Sequence, residues 1–355
     1  MIREDRNRVK KMNCNIRHKA RITAVHRDRY ELETMEGKER EQFYGRLKRS
    51  IYYSQESKMP FPTVGDYVEV NYNESGDSLI LATLSRKSYF SRLNPTPGMG
   101  EQVVAANFDY VFITMSLNKD FNVKKLERYV TAAWQSGGTP VVILTKADAC
   151  EEGEKEVAQR TEEVKAHAPG VEVVVTSSLT GYGMEQVREY LKPGKVIVFL
   201  GSSGVGKSTF INALFDREVM KTGAIREEDS RGRHTTTYRQ LLTLPGGACV
   251  IDTPGMRELG MWDVSEGLGQ SFGEIEELIK QCKFTNCTHT SEPGCAIVRA
   301  LENGTLEKTR WRNYCKLKQE AKYSDSREDY LQRMQQWGKK NARQKRNEKK
   351  YKHER

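Results

Sequence analysis

Residues 196–209, read VIVFLGSSGVGKST, decide the fold of the domain that contains them. An apolar run leads into a glycine-rich loop, and the helix-like segment 210–215, FINALF, follows it. Such a loop wraps a phosphate with its backbone N–H groups, while Lys207 reaches the β and γ oxygens and Ser208 ligates magnesium. The predicted nucleotide contacts cover the whole loop: Gly201, Ser202, Ser203, Gly204, Val205, Gly206, Lys207, Ser208 and Thr209. The stretch therefore predicts a nucleoside triphosphate site.

The base that accompanies the phosphates is indicated by residues 145–148, TKAD, which follow a continuous apolar run. They resemble the guanine-recognition element N-K-x-D. In that element the carboxylate, here Asp148, accepts hydrogen bonds from the ring N–H and the amino group of guanine, and the stem of the lysine, here Lys146, packs along the base. Adenine lacks those two donors. A buried carboxylate without a partner costs about 1 to 3 kcal/mol, so Asp148 is predicted to favour GTP over ATP.

Thr145 departs from this pattern, which has Asn at the same position. A hydroxyl can make one hydrogen bond, but it lacks the second amide group that ties the base loop to the phosphate loop, so weaker guanine binding is expected. The departure leaves an ATPase or a kinase open as an alternative. Ser177 and Ser178 end the next apolar run and are expected to offer backbone N–H groups to the guanine carbonyl.

Two further segments resemble the switches of a GTPase. Residues 252–255, DTPG, match D-x-x-G, so Asp252 is expected to hold magnesium through water and Gly255 to donate its N–H to the γ-phosphate. The loop 232–237, GRHTTT, lies between this motif and the phosphate loop. A GTPase places there the threonine that senses magnesium and the γ-phosphate, and Thr236 is the predicted residue, ahead of its threonine neighbours.

The residues predicted to act in hydrolysis lie in these same motifs. Thr236 and Ser208 are the expected magnesium ligands, and Lys207 and Thr236 contact the reacting phosphate. Met256 follows D-x-x-G where many GTPases have a glutamine that orients water, so slow intrinsic hydrolysis is expected. His234 is a candidate for positioning that water, because an imidazole can do so in an ordered loop; contact with RNA, or no role at all, is the alternative.

The order of the motifs is unusual for a GTPase. Between residues 106 and 262, continuous runs of Val, Ile and Leu alternate with helix-length segments, which indicates a mainly parallel α/β sheet covered on both faces. The base motifs at 145 and 177 precede the phosphate loop at 201, whereas an ordinary GTPase has the phosphate loop first. The sequence therefore predicts a circularly permuted P-loop domain, since permutation preserves the site where the original termini were close.

A β-rich segment precedes this domain. Five short, partly alternating stretches separated by turn-like residues are expected as strands, at 20–25, 30–34, 42–47, 66–72 and 79–84. They predict a small barrel of the OB type, whose open face often binds RNA. Another small β-barrel or an SH3-like fold is the alternative.

A cluster of metal-ligand residues follows the GTPase motifs. Cys282, Cys287, His289 and Cys295 supply three thiolates and one imidazole within fourteen residues. This is the set that a closed, tetrahedral zinc site uses, so one structural Zn²⁺ in a small helical domain is expected. A catalytic zinc would need an open position, and the seven cysteines of the chain do not suggest a disulfide framework.

These motifs together resemble the RsgA/YjeQ family of circularly permuted GTPases: GSSGVGKST, GRHTTT, DTPGMRE, the permuted order, the OB-like segment and the metal cluster. The resemblance covers residues 20 to 325. It implies GTP hydrolysis stimulated by the 30S ribosomal subunit, contacts of all three domains with 16S rRNA, and release of the protein after hydrolysis. The predicted division is 1–19 basic arm, 20–86 OB-like barrel, 87–105 linker, 106–262 permuted GTPase domain, 263–337 helical zinc-binding domain and 338–355 basic tail.

Composition agrees with a polyanionic partner. The 355 residues carry a net charge of +10, and the final segment from Lys339 has nine Lys or Arg against two Glu. RNA is favoured over anionic lipid, with solubility alone as the alternative reading of the charge. The charged N-terminus has no secretory signal and no apolar run approaches the roughly 18 residues of a membrane span, so a cytoplasmic monomer without membrane contact is expected.

The sequence thus predicts a GTPase of small-subunit maturation that uses GTP, Mg²⁺ and one Zn²⁺. A nucleotide-gated RNA-binding or RNA-chaperone module with incidental hydrolysis is the alternative. Stimulation of hydrolysis by 30S subunits distinguishes the two, because a module would bind RNA without a rise in turnover.

Overall fold

The computed structural model describes most of the chain in segments: residues 17–27, 29–35, 41–52, 61–93, 101–118, 121–202, 204–220, 239–252 and 265–322. The described residues fall into two compact units. Those within Met1–Phe90 and Val103–Leu259 form the first, and those within Ser91–Gln102 and Gly260–Arg355 form the second. Most of the predicted basic arm and all of the predicted basic tail lie outside the described residues.

The first unit begins with a closed five-stranded barrel. Its strands are β1 Arg17–Val25, β2 Tyr30–Thr34, β3 Gln42–Leu47, β4 Tyr67–Asn71 and β5 Ser78–Thr83, with the short helix α1 Arg49–Tyr52 after β3. The pairings close in the order β1-β2-β3-β5-β4-β1, with β3 and β5 parallel and the others antiparallel. The predicted strands coincide with these to within three residues at either end, and the OB-like barrel is confirmed.

Alternation of apolar and polar residues along these strands explains why they form a barrel. One face of each strand carries small or branched apolar residues, and these fill the interior: Ala20, Ile22, Leu32, Val68, Val70 and Ile80. The other face is polar or half-exposed, as expected for a sheet with one wet side. Gly45 is on β3, where a Cβ atom would lie 2.5 Å from Leu32 Cδ1, so a larger residue at this position would displace the Leu32 side chain.

The remainder of the first unit is the predicted α/β domain. Its strands are β8 Tyr110–Ser116, β9 Thr139–Thr145, β10 Glu172–Val175, β11 Val196–Leu200, β12 Arg239–Thr243 and β13 Cys249–Asp252. Its helices are α2 Val123–Gln135, α3 Glu154–His167, α4 Met184–Arg188 and α5 Lys207–Phe215. The strand order is β10-β9-β8-β11-β13-β12, parallel except for the antiparallel pair β12 and β13. Apolar clusters cover both faces, which confirms the mainly parallel sheet.

The barrel and the α/β sheet are joined strand to strand. Ala24 and Val25 of β1 pair antiparallel with Gln240 and Arg239 of β12, so eleven strands form one hydrogen-bonded sheet. The β1–β2 register shifts between Ile22 and Ala24, which marks an irregularity where β1 passes from the barrel to β12. No local sequence pattern predicts this pairing, since its two strands are distant in the chain.

The predicted linker, 87–105, contains strand β6 Tyr89–Leu93 and most of strand β7 Glu101–Ala106, which pair as a two-stranded sheet. Backbone around Gly65 adds a second junction between the barrel and the α/β domain. The Gly65 N–H donates to the Ile22 carbonyl at 2.9 Å, and the Gly65 carbonyl accepts from Asn107 Nδ2 at 3.1 Å.

The C-terminal part of the second unit, described over residues 265–322, is helical, as predicted. It contains α6 Ser265–Ser271, α7 Gly273–Lys280, α8 Ala296–Glu302 and a helix over residues 308–322. The buried Tyr314 packs edge-on against Phe272, and its hydroxyl donates to Glu276 Oε1 at 2.5 Å. Arg310 bonds to both Glu274 and the Ser271 carbonyl, which fixes the last helix against α6 and α7. Among the described helices, none has both the length and the apolar character needed to cross a bilayer.

A candidate nucleotide site and a candidate metal centre

The phosphate loop leaves the buried strand β11 at the carboxyl edge of the parallel sheet and enters α5 at Lys207. Positive φ angles at Gly201, Gly204 and Gly206, of 150°, 78° and 93°, shape the turn. A Cβ atom on Gly201 would lie 2.3 Å from Thr114 Oγ1, so glycine is required where the loop passes β8. The loop therefore has the strand, turn and helix that a phosphate cradle needs.

The side chain of Lys207 is held by hydrogen bonds to its own loop. Lys207 Nζ donates to the carbonyl oxygens of Gly201 and Ser202, each at 2.8 Å. These contacts keep the ammonium group over the turn, where the β and γ oxygens of a nucleotide bind. Ser208, in the first turn of α5, is half-buried, and Thr209 after it is exposed.

The base loop is tied directly to the phosphate loop. Thr145 is buried, and its Oγ1 lies 2.6 Å from the Val205 carbonyl and 3.2 Å from the Met115 carbonyl. Lys146 Nζ donates to the Gly204 carbonyl at 2.8 Å, from a backbone with φ of 61°. From the sequence, Thr145 was not expected to connect the base loop to the phosphate loop. Its hydroxyl does connect them, because the shorter of its two contacts is with the Val205 carbonyl of the phosphate loop.

Asp148 stands beside the second base-side loop. Its Oδ1 accepts a short hydrogen bond from Ser177 Oγ, and the Ser177 hydroxyl also accepts from the Thr180 N–H at 3.2 Å. Ser177 is buried and Ser178 half-buried. The expectation of a buried carboxylate is wrong, because Asp148 is exposed. A desolvation penalty can act on it only beneath a bound base.

The predicted base and phosphate residues thus gather at one edge of the sheet, as parallel strands require. Four predicted site residues lie outside the described residues: Ser203, His234, Thr236 and Gly255. Asp252 ends β13, next to β11, which brings its backbone to the same edge.

Sequence reasoning missed one residue at the loop. Lys125, in the first turn of α2, donates from Nζ to Ser202 Oγ at 3.3 Å. Helix α2 follows β8, and β8 pairs parallel with β11, so the start of α2 lies near the phosphate loop. The sequence offered only one sign of this contact, a lysine at the start of the segment that follows a strand. Such lysines are too common to be informative.

The metal-ligand residues meet in the second unit. The ligand atoms of Cys282, Cys287, His289 and Cys295 all lie within 4.8 Å of one another. Cys282 Sγ is 3.9 Å from Cys295 Sγ and 3.5 Å from His289 Nδ1, and Cys295 Sγ is 3.6 Å from that same nitrogen. Ligands about 2.3 Å from a tetrahedral zinc are roughly 3.5 to 3.8 Å apart, so the group fits a metal ion of that size.

The surroundings shift the pKa of three of the ligands. Burial raises the pKa of Cys287 to about 11. At Cys282 burial raises the pKa, but the backbone N–H groups of Ala296 and Ile297 outweigh it, and the net direction is downward. Burial lowers the pKa of His289, which keeps the imidazole neutral at pH 7 and its Nδ1 able to bind a metal.

The surroundings fix the ligands in place. Glu292 accepts hydrogen bonds from the backbone N–H groups of Thr288, Thr290 and Ser291, which hold the turn that carries His289. These bonds hold the pKa of the Glu292 carboxyl well below its usual range. The His289 ring packs edge-on against Trp311 at 5.6 Å, so the last helix supports the cluster.

Comparison with known proteins finds relatives over most of the chain. The model of the RsgA GTPase family matches residues 83–262, half of the chain. A "small ribosomal subunit biogenesis GTPase RsgA 1" from Listeria monocytogenes is 48% identical over 303 residues, which cover 85% of this chain and 83% of that protein. A model of the ABC transporter family also matches residues 184–351, a stretch that contains the phosphate loop common to many nucleotide-binding proteins.

Solved structures show the same architecture. The crystal structure of YjeQ from Thermotoga maritima is similar with a TM-score of 0.65 and 29% identity, covering 85% of this chain and 97% of that one. The structure of YloQ, a circularly permuted GTPase, gives a TM-score of 0.60 at 24% identity, over 87% of this chain and 96% of that one, and supports the fold alone. With its motifs, its permuted sheet and these relatives, the chain belongs to the RsgA GTPase family.

Proposed function

We propose that this protein hydrolyses GTP to GDP and phosphate while bound to the small (30S) ribosomal subunit, and that it acts in late maturation of that subunit. The observation that carries the proposal is the direct joining of a guanine-type base loop to a phosphate loop, through Thr145 and Lys146. The name of the Listeria relative supports the ribosomal client. The net charge of +10 supports an RNA surface as the place of docking.

Nucleotide binding would use the residues at the carboxyl edge of the sheet. The loop backbone from Gly201 to Thr209 would surround the β-phosphate, and Lys207 would meet the β and γ oxygens. Asp148 would accept the guanine N–H and amino donors, with Ser177 holding the carboxylate in place. Ser178 would support the guanine carbonyl with its backbone N–H.

Hydrolysis would depend on residues that close over the γ-phosphate. Ser208 and Thr236 would hold Mg²⁺, with Asp252 behind a water, and the ion would neutralise charge on the triphosphate oxygens. Gly255 would donate its N–H to the γ-phosphate, and His234 would orient the attacking water. We expect His234→Ala to leave GTP binding unchanged and to lower 30S-stimulated turnover about 100-fold, as the loss of a positioned water ligand does.

The second unit would hold one structural Zn²⁺ through Cys282, Cys287, His289 and Cys295. The ligand spacing and the neutral imidazole support this assignment. A closed set of four protein ligands leaves no position for substrate, so the ion would supply folding energy rather than chemistry.

RNA contact would involve the barrel. Tyr44 on β3 is 42% exposed, and the Arg29 guanidinium lies 3.8 Å above its ring. Asp77 accepts two hydrogen bonds from Arg29, which hold the guanidinium over the ring. An exposed aromatic and arginine on an OB-type face are suited to stacking with bases of 16S rRNA. We place this work in the cytoplasm, with the protein as a monomer.

A sedimentation experiment tests the client. The protein is mixed with purified 30S or 50S subunits and with GDP or a non-hydrolysable GTP analogue, and the pelleted fraction is measured. Selective pelleting with 30S in the analogue, and weaker pelleting in GDP, is the expected result. Equal pelleting with both subunits, independent of nucleotide, would instead favour an RNA-binding module with incidental hydrolysis.

A further inference from the structure

A second lysine besides Lys207 reaches the phosphate loop from a separate element. Lys125 Nζ donates to Ser202 Oγ at 3.3 Å, while the carbonyl of that same serine accepts from Lys207 Nζ at 2.8 Å. The two ammonium groups therefore bracket Ser202. They are separated by no more than about 10 Å, the Debye length at 0.1 M salt, so both act on an anion in the loop.

The position of Lys125 in its helix is not explained by helix stability. It lies in the first turn of α2, where the backbone dipole disfavours positive charge, and that turn contains no acidic residue. The next acid along the helix, Glu127, is buried and accepts from His167 at 2.9 Å. A cation placed at this end of a helix is favourable when an anion binds nearby, and the phosphate loop is the neighbouring anion site.

We propose that Lys125 is a second lysine of the nucleotide site, whose charge strengthens binding of the triphosphate over the diphosphate. The inference rests on the proposed function, because it requires that GTP binds at this loop. GTP carries one more phosphate charge than GDP, at the end that Lys207 reaches, so the ammonium of Lys125 attracts GTP more strongly. The residue acts through charge rather than through its hydrogen bond to Ser202.

Titration calorimetry with GDP and with a non-hydrolysable GTP analogue tests this role in the full-length protein. Lys125→Ala and Lys125→Gln are expected to weaken analogue binding about fivefold and GDP binding less than twofold, as for a partly exposed charge interaction. Lys125→Arg keeps the charge and should bind like the original chain. The fivefold loss should shrink in 0.3 M potassium chloride, because salt screens the charge.

Two control variants separate charge from other effects. Lys165→Ala removes another exposed lysine, which pairs with Glu162 on α3, and it should bind both nucleotides normally. Lys125→Gln keeps a hydrogen-bond donor for Ser202 but removes the charge, so it should lose as much analogue affinity as Lys125→Ala. Analogue binding by Lys125→Gln equal to that of the original chain would overturn the charge mechanism.

The unaltered chain and Lys207→Ala complete the experiment. If the unaltered chain binds the analogue, Lys207→Ala abolishes binding, and Lys125→Ala and Lys125→Gln bind normally, the inference is overturned while the proposed function stands. If the unaltered chain binds no guanine nucleotide, the proposed function itself is overturned, and the inference with it.

Discussion

At the scale of single residues, the proposed guanine selection would depend on the Asp148 carboxylate and on the serine that orients it. Ser177 is buried and donates to Asp148 Oδ1, so the carboxylate has a fixed direction although it is exposed. The Lys146 stem lies along the phosphate loop, with its Cε 3.6 Å from where a Cβ on Gly206 would lie. In the proposed site, these two side chains would line one slot for a planar base.

Asp148→Asn should change which base fits this slot. The amide donates where the carboxylate accepted, so it matches the carbonyl of xanthine and mismatches the amino group of guanine. We expect GTP affinity to fall at least tenfold and xanthosine triphosphate affinity to rise, measured by competition against a fluorescent nucleotide. Asp216→Asn, a substitution of the same type beyond the end of α5, is the control. Unchanged GTP affinity in Asp148→Asn would show that this carboxylate does not face the base.

Residue-scale features were predictable to unequal degrees. The glycines, Lys207 and the metal ligands follow from spacing, because their chemistry requires fixed residue types in a short segment. Two contacts could not be predicted from spacing: that of Thr145 with Val205 and that of Lys125 with Ser202. Each joins segments at least 60 residues apart and depends on how two elements pack. The exposure of Asp148 likewise depends on the surrounding loops.

At the scale of elements, the turn at Gly65 joins the barrel to the α/β domain under tight steric limits. Its φ is +88°, and a Cβ atom there would lie 2.1 Å from the Ala106 carbonyl oxygen, which is backbone and has little freedom to move. The barrel strands themselves were predictable from alternation and turns, whereas this junction was not, because it depends on long-range contact.

Replacing Gly65 with alanine should therefore destabilise the first unit strongly. A left-handed backbone costs about 1 to 2 kcal/mol for a residue with a Cβ, and the clash adds roughly 1 to 3 kcal/mol. Gly153→Ala is the matched control, since its φ is +62° and no atom lies within 4 Å of the added carbon. Urea unfolding should show a larger loss of free energy of unfolding for Gly65→Ala; equal losses would contradict the steric account.

At the same scale, the pH dependence of zinc binding tests the proposed metal centre. Metal binding must displace the thiol protons, and the pKa of Cys287, raised to about 11, leaves that thiol protonated at neutral pH before the metal binds. Apparent zinc affinity should therefore rise with pH, by about tenfold per pH unit for each thiol proton released. Burial lowers the pKa of His289, so release of a proton from its imidazolium form contributes little to this slope at neutral pH.

Competition with a chromophoric chelator at pH 6.5 and 7.5 measures this slope. Cys287→Ser should lose most zinc affinity, while Cys315→Ser, at an exposed cysteine outside the cluster, should bind normally. An affinity independent of pH, or equal zinc binding by the two variants, would contradict the assignment of Cys287 as a ligand.

At the scale of the whole molecule, the continuous eleven-stranded sheet links the barrel to the α/β domain. Strand β12 is the first described element after residues 221–238, which include Thr236, and it pairs with β1 of the barrel. In the proposed function, docking of the barrel on RNA would therefore act directly on the strand that follows the predicted γ-phosphate contact. The permuted order was predictable from the motifs, but this connection required the three-dimensional pairing.

The measurement that tests the central claim most directly is phosphate release from GTP and from ATP, each with and without purified 30S subunits. The account predicts slow release from GTP alone, an increase of at least tenfold with 30S subunits, and negligible release from ATP in either case. Lys207→Ala should abolish the stimulated rate, because the phosphate contact is lost. Release from GTP that is the same with and without subunits, or an ATP rate equal to the GTP rate, would contradict a guanine-specific, ribosome-stimulated enzyme.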